Sequence, residues 1–359
     1  STTYIYIFSH HDALPILACL IAAATMFTMG STAFAAETAE AETKTPVDSV
    51  TLTKSYKLEV ADMKSPAETF NYTVTAANVT DAASNTTKDN MPMPKVVAYT
   101  TEYTEGEATV EGKEKSFTIE LPNYNSVGIY YYTVAETKGN TLGVTYDEKT
   151  VTLKVTVVNN KSGDGFDRYV TVYKNISSNE SRKLTEGQNA FENTYSANSL
   201  PVKKVVTGNL GDKNKFFTVT VTLKNNTGKT MSSDISYKVG EATNTIKASD
   251  WENNIATAEI NLKHDQTITF TNLPFGVTYD VTEADYTKAK GGYDAPVYTY
   301  TNTNKTVNKT SQNVTITNNK GGDIDTGVNL TTLPYILVFA GVIVIAGAAF
   351  ITRRRKYED

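Results

Sequence analysis

Cysteine and histidine are scarce in this sequence, and their scarcity argues against several classes of function. The 359 residues include one cysteine and three histidines. We expect the exported protein to begin after Cys19, His10 and His11. Of these four residues it therefore keeps only His264. A Ser/His or Cys/His hydrolase and a multi-histidine metal site therefore lack their essential side chains. The exported chain must also be stable without disulfide bonds.

A basic excess and a long helical repeat are missing as well. The net charge of -5 offers no positive surface for nucleic acid. A hydrophobic share of 40% is enough for buried cores, and the abundance of Thr, Tyr and Val favours strands. The length suggests about two domains. We therefore predict an all-β protein with no cofactor, no metal and no nucleic-acid partner.

An apolar segment near the start of the chain predicts export. Residues 16–29 are apolar and lead to Ala33-Phe34-Ala35, the small-x-small pattern of a signal peptidase site. Residues 1–35 are therefore predicted to be a signal peptide, although the missing initiator Met and basic start favour a truncated or artefactual beginning. Residues 36–48 are acidic and unpatterned, which is typical of a flexible leader.

A second apolar segment near the end predicts anchoring. Residues 333–351 are long enough to cross a bilayer core of about 30 Å at roughly 1.5 Å per residue. The basic run at 353–356 places the short tail in the cytoplasm. Thr326-Gly327 lies upstream, and the order of motif, apolar span and basic tail over residues 323–359 resembles a sortase sorting signal.

Between these ends, alternating apolar residues form two similar halves. Every second side chain of a strand shares a face. The run Gly128 to Glu136 corresponds to Gly276 to Glu283, each a strand of aromatic or aliphatic residues that ends in glutamate. We therefore predict an internal duplication, with one domain over residues 49–196 and another over 197–322.

Each half also places a lysine, a glutamate and an asparagine on strand faces that are otherwise apolar. Taken singly, the lysines could be edge-strand residues or reach water, the glutamates could be exposed strand ends, and the asparagines could be turn residues. The same three residue types in both halves favour a shared function over coincidence. They are Lys54, Glu136 and Asn193 in the first half, and Lys204, Glu283 and Asn318 in the second.

These residue types can form an amide bond. Burial lowers a lysine pKa towards the nucleophilic amine and raises a glutamate pKa towards the neutral acid. The acid can hydrogen-bond the asparagine carbonyl and relay a proton to the departing ammonia. The product is a Lys-Asn isopeptide bond, which the proximity created by folding can make spontaneous. Glu136 and Glu283 would be the catalytic residues.

The same segments resemble the streptococcal major-pilin isopeptide-linkage family, the FctA-like backbone pilins of Gram-positive bacteria. The resemblance covers residues 50–327 and rests on Val50–Lys54, Gly128–Glu136, Phe191–Asn193, Val202–Lys204, Tyr279–Glu283 and Ile316–Asn318. It implies two tandem Ig-like β-sandwich domains, each with one crosslink and one catalytic glutamate. The implied crosslinks are Lys54–Asn193 with Glu136, and Lys204–Asn318 with Glu283. Lys204 shares a face with Leu200 and Val202, whereas Lys203 points the other way.

The chain departs from that family at two functional positions. The family's sorting motif tends to read Glu-Val-Pro-Thr-Gly, whereas Asp325 replaces the proline here and removes a fixed φ angle. Cleavage is still expected between Thr326 and Gly327. The family's polymerisation lysine lies seven residues before the acceptor asparagine, where this chain has Glu186. Lys183 is the nearest substitute, and an ordinary solvated lysine explains it equally well.

The favoured function is a pilus shaft subunit that a sortase polymerises and then joins to the peptidoglycan precursor. The implied partners are sortase and neighbouring subunits, with a host surface ligand left open, and the implied location is the cell wall. The alternative is a wall-anchored surface protein or adhesin that displays the same domains without polymerising. A secreted enzyme with a β-sandwich accessory domain lacks an acid/base pair outside the predicted crosslinks.

Overall fold

The structure, a computed structural model, describes residues 45–185, 187–239 and 242–323. These residues form nineteen β-strands and one short 3-10 turn, Ala248–Asp250. The prediction of an all-β protein is confirmed. Within the described ranges, no helix is long and apolar enough to span a membrane. The predicted signal peptide, sorting motif and apolar span lie outside the described residues, except Asp323.

The first half is built from ten strands in two sheets. They are β1 (Ser49–Leu58), β2 (Glu68–Thr80), β3 (Ala98–Tyr103), β4 (Lys113–Glu120), β5 (Gly128–Glu136), β6 (Val144–Thr145), β7 (Val151–Asn159), β8 (Phe166–Ser177), β9 (Glu180–Leu184) and β10 (Asn189–Tyr195). One sheet has the order β4-β1-β10-β6, and the other has the order β3-β2-β5-β7-β8-β9.

An aromatic core joins these two sheets. The Tyr72 ring of β2 stacks on Phe117 of β4 with 4.2 Å between centroids, and it lies 5.0 Å from Phe191 of β10. The buried face of β5 carries Tyr130 and Tyr132 at every second position, as the alternating sequence predicts. Face-to-face packing of two sheets over one core is a β-sandwich. We call residues 49–195 the first sandwich.

The second half repeats this plan with nine strands. They are β11 (Ala197–Thr207), β12 (Phe217–Asn225), β13 (Ile235–Val239), β14 (Ala242–Ile246), β15 (Ile255–Leu262), β16 (Thr267–Pro274), β17 (Val277–Glu283), β18 (Val297–Tyr300) and β19 (Val314–Asn319). The order β14-β13-β16-β11-β19-β18 forms one sheet and β15-β12-β17 the other. Both sheets contribute side chains to a second, mainly aliphatic core. We call residues 197–319 the second sandwich.

In each sandwich the first and last strands are parallel neighbours. Strand β1 pairs with β10, with Lys54 opposite Phe191, and β11 pairs with β19, with Lys204 opposite Ile316. The asparagine lies two residues beyond the partner of the lysine in both pairs, so it shares the lysine's face. The first and last strands of each sandwich therefore lie side by side in the interior of one sheet.

Candidate functional site

Lys54, Glu136 and Asn193 meet inside the first sandwich and form what we call the first cluster. Lys54 and Asn193 come from the adjacent strands β1 and β10, while Glu136 ends β5 in the facing sheet. The side chains of Lys54 and Glu136 are fully buried, as is Asn193. The cluster therefore spans the space between the two sheets.

Glu136 bridges the amine and the amide. Lys54 Nζ donates to Glu136 Oε2 at 2.6 Å, and Asn193 Nδ2 donates to Glu136 Oε1 at 2.5 Å. We expected the carboxyl group to contact the carbonyl oxygen of the asparagine. In the structure Asn193 Oδ1 instead accepts the backbone N–H of Asp147 at 2.7 Å. One carboxyl group thus contacts both the lysine nitrogen and the asparagine amide nitrogen.

The surroundings of the first cluster change the protonation of its groups. Lys54 Nζ lies 4.4 Å from the centroid of the Phe70 ring. Burial lowers the pKa of the Lys54 amine to about 8, and the attraction of Glu136 opposes this shift. Burial raises the pKa of the Glu136 carboxyl, again against the effect of Lys54. Both shifts favour the neutral amine and the neutral acid.

Lys204, Glu283 and Asn318 form an equivalent second cluster. Asn318 Nδ2 donates to Glu283 Oε2 at 2.7 Å, and Lys204 Nζ lies 3.1 Å from Glu283 Oε1. Lys204 Nζ also donates to Asn318 Oδ1 at 2.5 Å, so the carbonyl is again not contacted by the carboxyl. The Phe217 ring centroid lies 4.3 Å from the amine. Burial lowers the pKa of Lys204.

The structure argues against the ordinary explanations for these residues taken singly. Strand β1 lies between β4 and β10, and β11 lies between β16 and β19, so neither lysine is on an edge strand. The Lys204 side chain has no exposed surface, whereas Lys203 is 43% exposed beside Asp265. Both glutamate side chains are fully buried, and both asparagines lie within strands.

Sequence reasoning missed three contributors to the clusters. Phe70 and Phe217 begin the buried faces of the strands that follow the lysine strands, and aligning the two halves would have found them. Asp147 lies between β6 and β7, where no periodic pattern identifies it. Its role depends on a backbone N–H, which every residue except proline has.

The residues predicted for assembly lie elsewhere. Lys183 is exposed on β9, which is the last strand of the six-stranded sheet of the first sandwich. It is therefore not part of either cluster. Glu186, Thr326 and Gly327 lie outside the described residues. The structure thus brings together six of the predicted site residues in two groups of three and leaves Lys183 at the surface.

Comparisons with known proteins match two parts of the chain to two different families. Residues 50–196 match the family described as Spy0128-like isopeptide containing domain, and residues 198–320 match a domain family of unknown function, DUF7601. The chain is 30% identical over 344 residues to a pilin of Streptococcus pyogenes serotype M1, covering 90% of this chain and 96% of that protein.

Solved pilin structures are also similar. The major pilin of Streptococcus pyogenes aligns with 23% identity and a TM-score of 0.47, covering 77% of this chain and 99% of that structure. The major pilin T3.2 of serotype GAS13637 aligns over the same shares with 23% identity and a TM-score of 0.46.

Proposed function

This chain belongs to the pilin family of Gram-positive bacteria, and we propose that it is the polymerising shaft subunit of a cell-surface pilus, with each sandwich closed by its own isopeptide bond. Its relatives are structural subunits of the cell surface, not enzymes. The observation that carries the proposal is the repeated bridge, in which one buried carboxyl contacts a lysine amine and an asparagine amide.

The proposed reaction uses only the residues of each cluster. In the first sandwich, the neutral Lys54 Nζ attacks Asn193 Cγ and forms the new C–N bond. Glu136 accepts the proton that the attacking nitrogen releases and delivers a proton to Nδ2, so the Cγ–Nδ2 bond breaks and ammonia leaves. Glu136 contacts both nitrogens, so no movement of the carboxyl is needed. Lys204, Glu283 and Asn318 would react in the same way.

Burial explains why the reaction would occur in these positions. Folding holds amine, acid and amide within hydrogen-bond distance, and such positioning corresponds to effective molarities of about 10⁵ M or more. The other ion pair near the first cluster, Lys174–Asp147, has a nitrogen–oxygen distance of 2.7 Å. The Asp147 carboxylate contacts the Lys174 amine and two backbone N–H groups but no side-chain amide nitrogen, so this pair has no leaving group for the same reaction.

The proposal also covers processing and assembly. Residues 1–35 would direct export, and the two domains would extend over 49–196 and 197–322. Residues 333–351 would hold the precursor in the membrane until a sortase cleaves between Thr326 and Gly327. The Thr326 carboxyl would then be joined to a lysine of the next subunit, for which Lys183 is the candidate, or finally to the peptidoglycan precursor.

Intact mass spectrometry of the purified body tests the crosslinks. We expect the wild-type mass to be lower than the sequence mass by two molecules of ammonia. Glu136→Ala should restore one ammonia at the first cluster, and Glu283→Ala should restore one at the second, because each glutamate serves one reaction. Each variant is the control for the other. A wild-type mass equal to the sequence mass would refute the proposal.

Electrophoresis separates the shaft subunit from the alternative, a singly displayed adhesin. A polymerised shaft gives a ladder that resists sodium dodecyl sulfate and collapses to one band in a sortase-deficient strain. Lys183→Ala tests the acceptor, with Lys203→Ala as a control that removes another exposed lysine. A single anchored band in the wild-type strain would favour the adhesin.

A further inference from the structure

Asp147 contacts the reacting amide of the first cluster, although it belongs to neither crosslinked strand. Its backbone N–H donates to Asn193 Oδ1 at 2.7 Å. Its carboxylate accepts the backbone N–H of Glu192, the residue before Asn193, at 3.0 Å. The same carboxylate pairs with Lys174 Nζ at 2.7 Å, and the two side chains are only 8% and 12% exposed. Asp147 therefore contacts strand β10 through both its backbone N–H and its carboxylate, at Asn193 and the residue before it.

We propose that Asp147 is a catalytic residue of the first crosslink, with its backbone N–H serving as the oxyanion donor and its carboxylate holding that N–H in position. The inference deepens the proposed isopeptide reaction and rests on it. When Lys54 Nζ bonds to Asn193 Cγ, the carbonyl electron pair moves onto Oδ1. A donor already within 2.7 Å of this oxygen stabilises the negative charge as it develops.

The step balances without any further reactant. The oxyanion re-forms the carbonyl as the Cγ–Nδ2 bond breaks, and Glu136 supplies the proton with which ammonia leaves. Asp147 makes and breaks no covalent bond. It changes only the free energy of the charged intermediate, and it holds the carbonyl away from Glu136 so that the carboxyl remains on the two nitrogens.

The carboxylate of Asp147 has a separate positioning role. Segment 146–150 has no regular strand structure of its own to fix the direction of its N–H groups. The Asp147 carboxylate also accepts the Lys149 backbone N–H at 3.0 Å, so one side chain ties together this segment and strand β10. Loss of the carboxylate would not remove the Asp147 N–H, but this group would be free to turn away from Asn193.

The second cluster supplies an internal comparison. Within the described residues, the hydrogen bond to Asn318 Oδ1 comes from Lys204 Nζ, and no backbone N–H donates to this oxygen. The two clusters therefore use the same three residue types but differ in the contact that Asp147 makes. A change at Asp147 should affect the first crosslink and leave the second unchanged.

The experiment follows both crosslinks during cell-free synthesis of the two-sandwich body. Samples are stopped with acid at intervals, digested, and the ammonia loss at each site is measured from peptide masses. We expect Asp147→Ala to slow the first crosslink by about 10- to 100-fold, which is less than the 10²–10³ expected when an oxyanion donor is removed outright. Asp147→Asn keeps an oxygen acceptor for the Glu192 N–H and should restore most of the rate. Glu148→Ala, which removes the neighbouring exposed carboxylate, is the matched control and should not change it.

Each result supports or overturns the proposal. An unchanged rate in Asp147→Ala, equal slowing at both sites, or absence of rescue by Asp147→Asn would overturn it. If Asp147→Ala does not fold, Asp147→Glu keeps the charge and moves the carboxylate by one methylene, and an unchanged rate in this variant would also overturn the proposal. Absence of both ammonia losses in the wild type would instead refute the isopeptide reaction itself.

Discussion

Lys54 and Glu136 are an acid and a base in one buried space, so their protons must be counted together. When both groups are fully protonated, the pair consists of an ammonium and a neutral acid. The reactive form has lost one proton and consists of a neutral amine and a neutral acid. Burial raises the pKa of Glu136 and lowers that of Lys54 to about 8. Asp147 and Lys174 also act on the amine, in opposite directions. The pair therefore shares one titratable proton over a pH range whose upper limit lies near pH 8.

This proton count predicts a bell-shaped dependence of the first crosslinking rate on pH. At low pH a second proton keeps Lys54 as the unreactive ammonium. Above about pH 8 the shared proton is lost, and Glu136 can no longer supply the acid that ammonia needs. Timed mass spectrometry of the first site between about pH 5 and pH 10 checks this expectation. A rate that rises steadily to the alkaline end would contradict it.

The sequence predicts the members of each cluster better than their contacts. Period-two alternation places Lys54 and Lys204 on apolar faces, and the duplication connects them with a glutamate and an asparagine. It cannot show which oxygen or nitrogen each carboxyl contacts, because this depends on the separation of two sheets. It also gives no sign of Asp147, whose backbone N–H carries the interaction.

At the scale of elements, the parallel pairing of first and last strands decides how a pulling force is carried. Force applied to the chain ends of the first sandwich enters through β1 and leaves through β10. The proposed Lys54–Asn193 bond joins these neighbouring strands directly. The force would therefore pass through a covalent amide, and strands β2 to β9 would carry none of it.

Single-molecule stretching tests this force path. We expect the wild-type body to show no extension of the segment between Lys54 and Asn193. In Glu136→Ala the segment between Lys54 and Asn193 should unfold and lengthen by several hundred ångströms, since a stretched chain spans roughly 3.3 Å per residue. Glu283→Ala should instead release the segment from Lys204 to Asn318. A wild-type first sandwich that extends fully under load would show that the crosslink is absent.

Long strands with large apolar residues were predictable, and short or small-residue strands were not. The alternation of β5, β7, β12 and β17 appears clearly in the sequence. Strand β15 buries Ala256 and Ala258, and alanine gives a weak strand signal. Strand β6 has only two residues, which is too short for any period to be recognised.

At the scale of the whole molecule, a segment of the first sandwich packs against the core of the second. Leu142 lies before β6 yet is 2% exposed and belongs to the core of the second sandwich. Its N–H donates to the Thr230 carbonyl, and the Thr230 N–H donates to the Asn140 carbonyl, both at 2.8 Å. Tyr195 and Ser233 add a buried hydroxyl contact at 2.8 Å. These contacts join the two sandwiches directly.

Leu142→Ala should loosen this joint while both crosslinks still form. Replacing a buried leucine by alanine costs about 2–5 kcal/mol, and here the loss falls on the contact between sandwiches. Spin labels on cysteines introduced at exposed sites, one in each sandwich, would show a broader distance distribution than in the wild type. The control Leu262→Ala makes the same truncation in the same core, but on a strand that belongs to the second sandwich. It should leave the distance distribution as narrow as in the wild type. An unchanged distribution in Leu142→Ala would show that Leu142 does not fix the joint.

The short connection between the sandwiches has a consequence for resistance to proteases. Strand β10 ends at Tyr195 and β11 begins at Ala197, so the proposed bonds would leave only residues 194–203 as backbone between Asn193 and Lys204. A protease that cut the exposed turn at Gly163, or any other loop bypassed by an isopeptide bond, would open a loop without separating the fibre into two fragments. Damage that severs an ordinary polypeptide would thus leave a pilus of this design continuous, and only a cut in the few uncrosslinked stretches would shorten it.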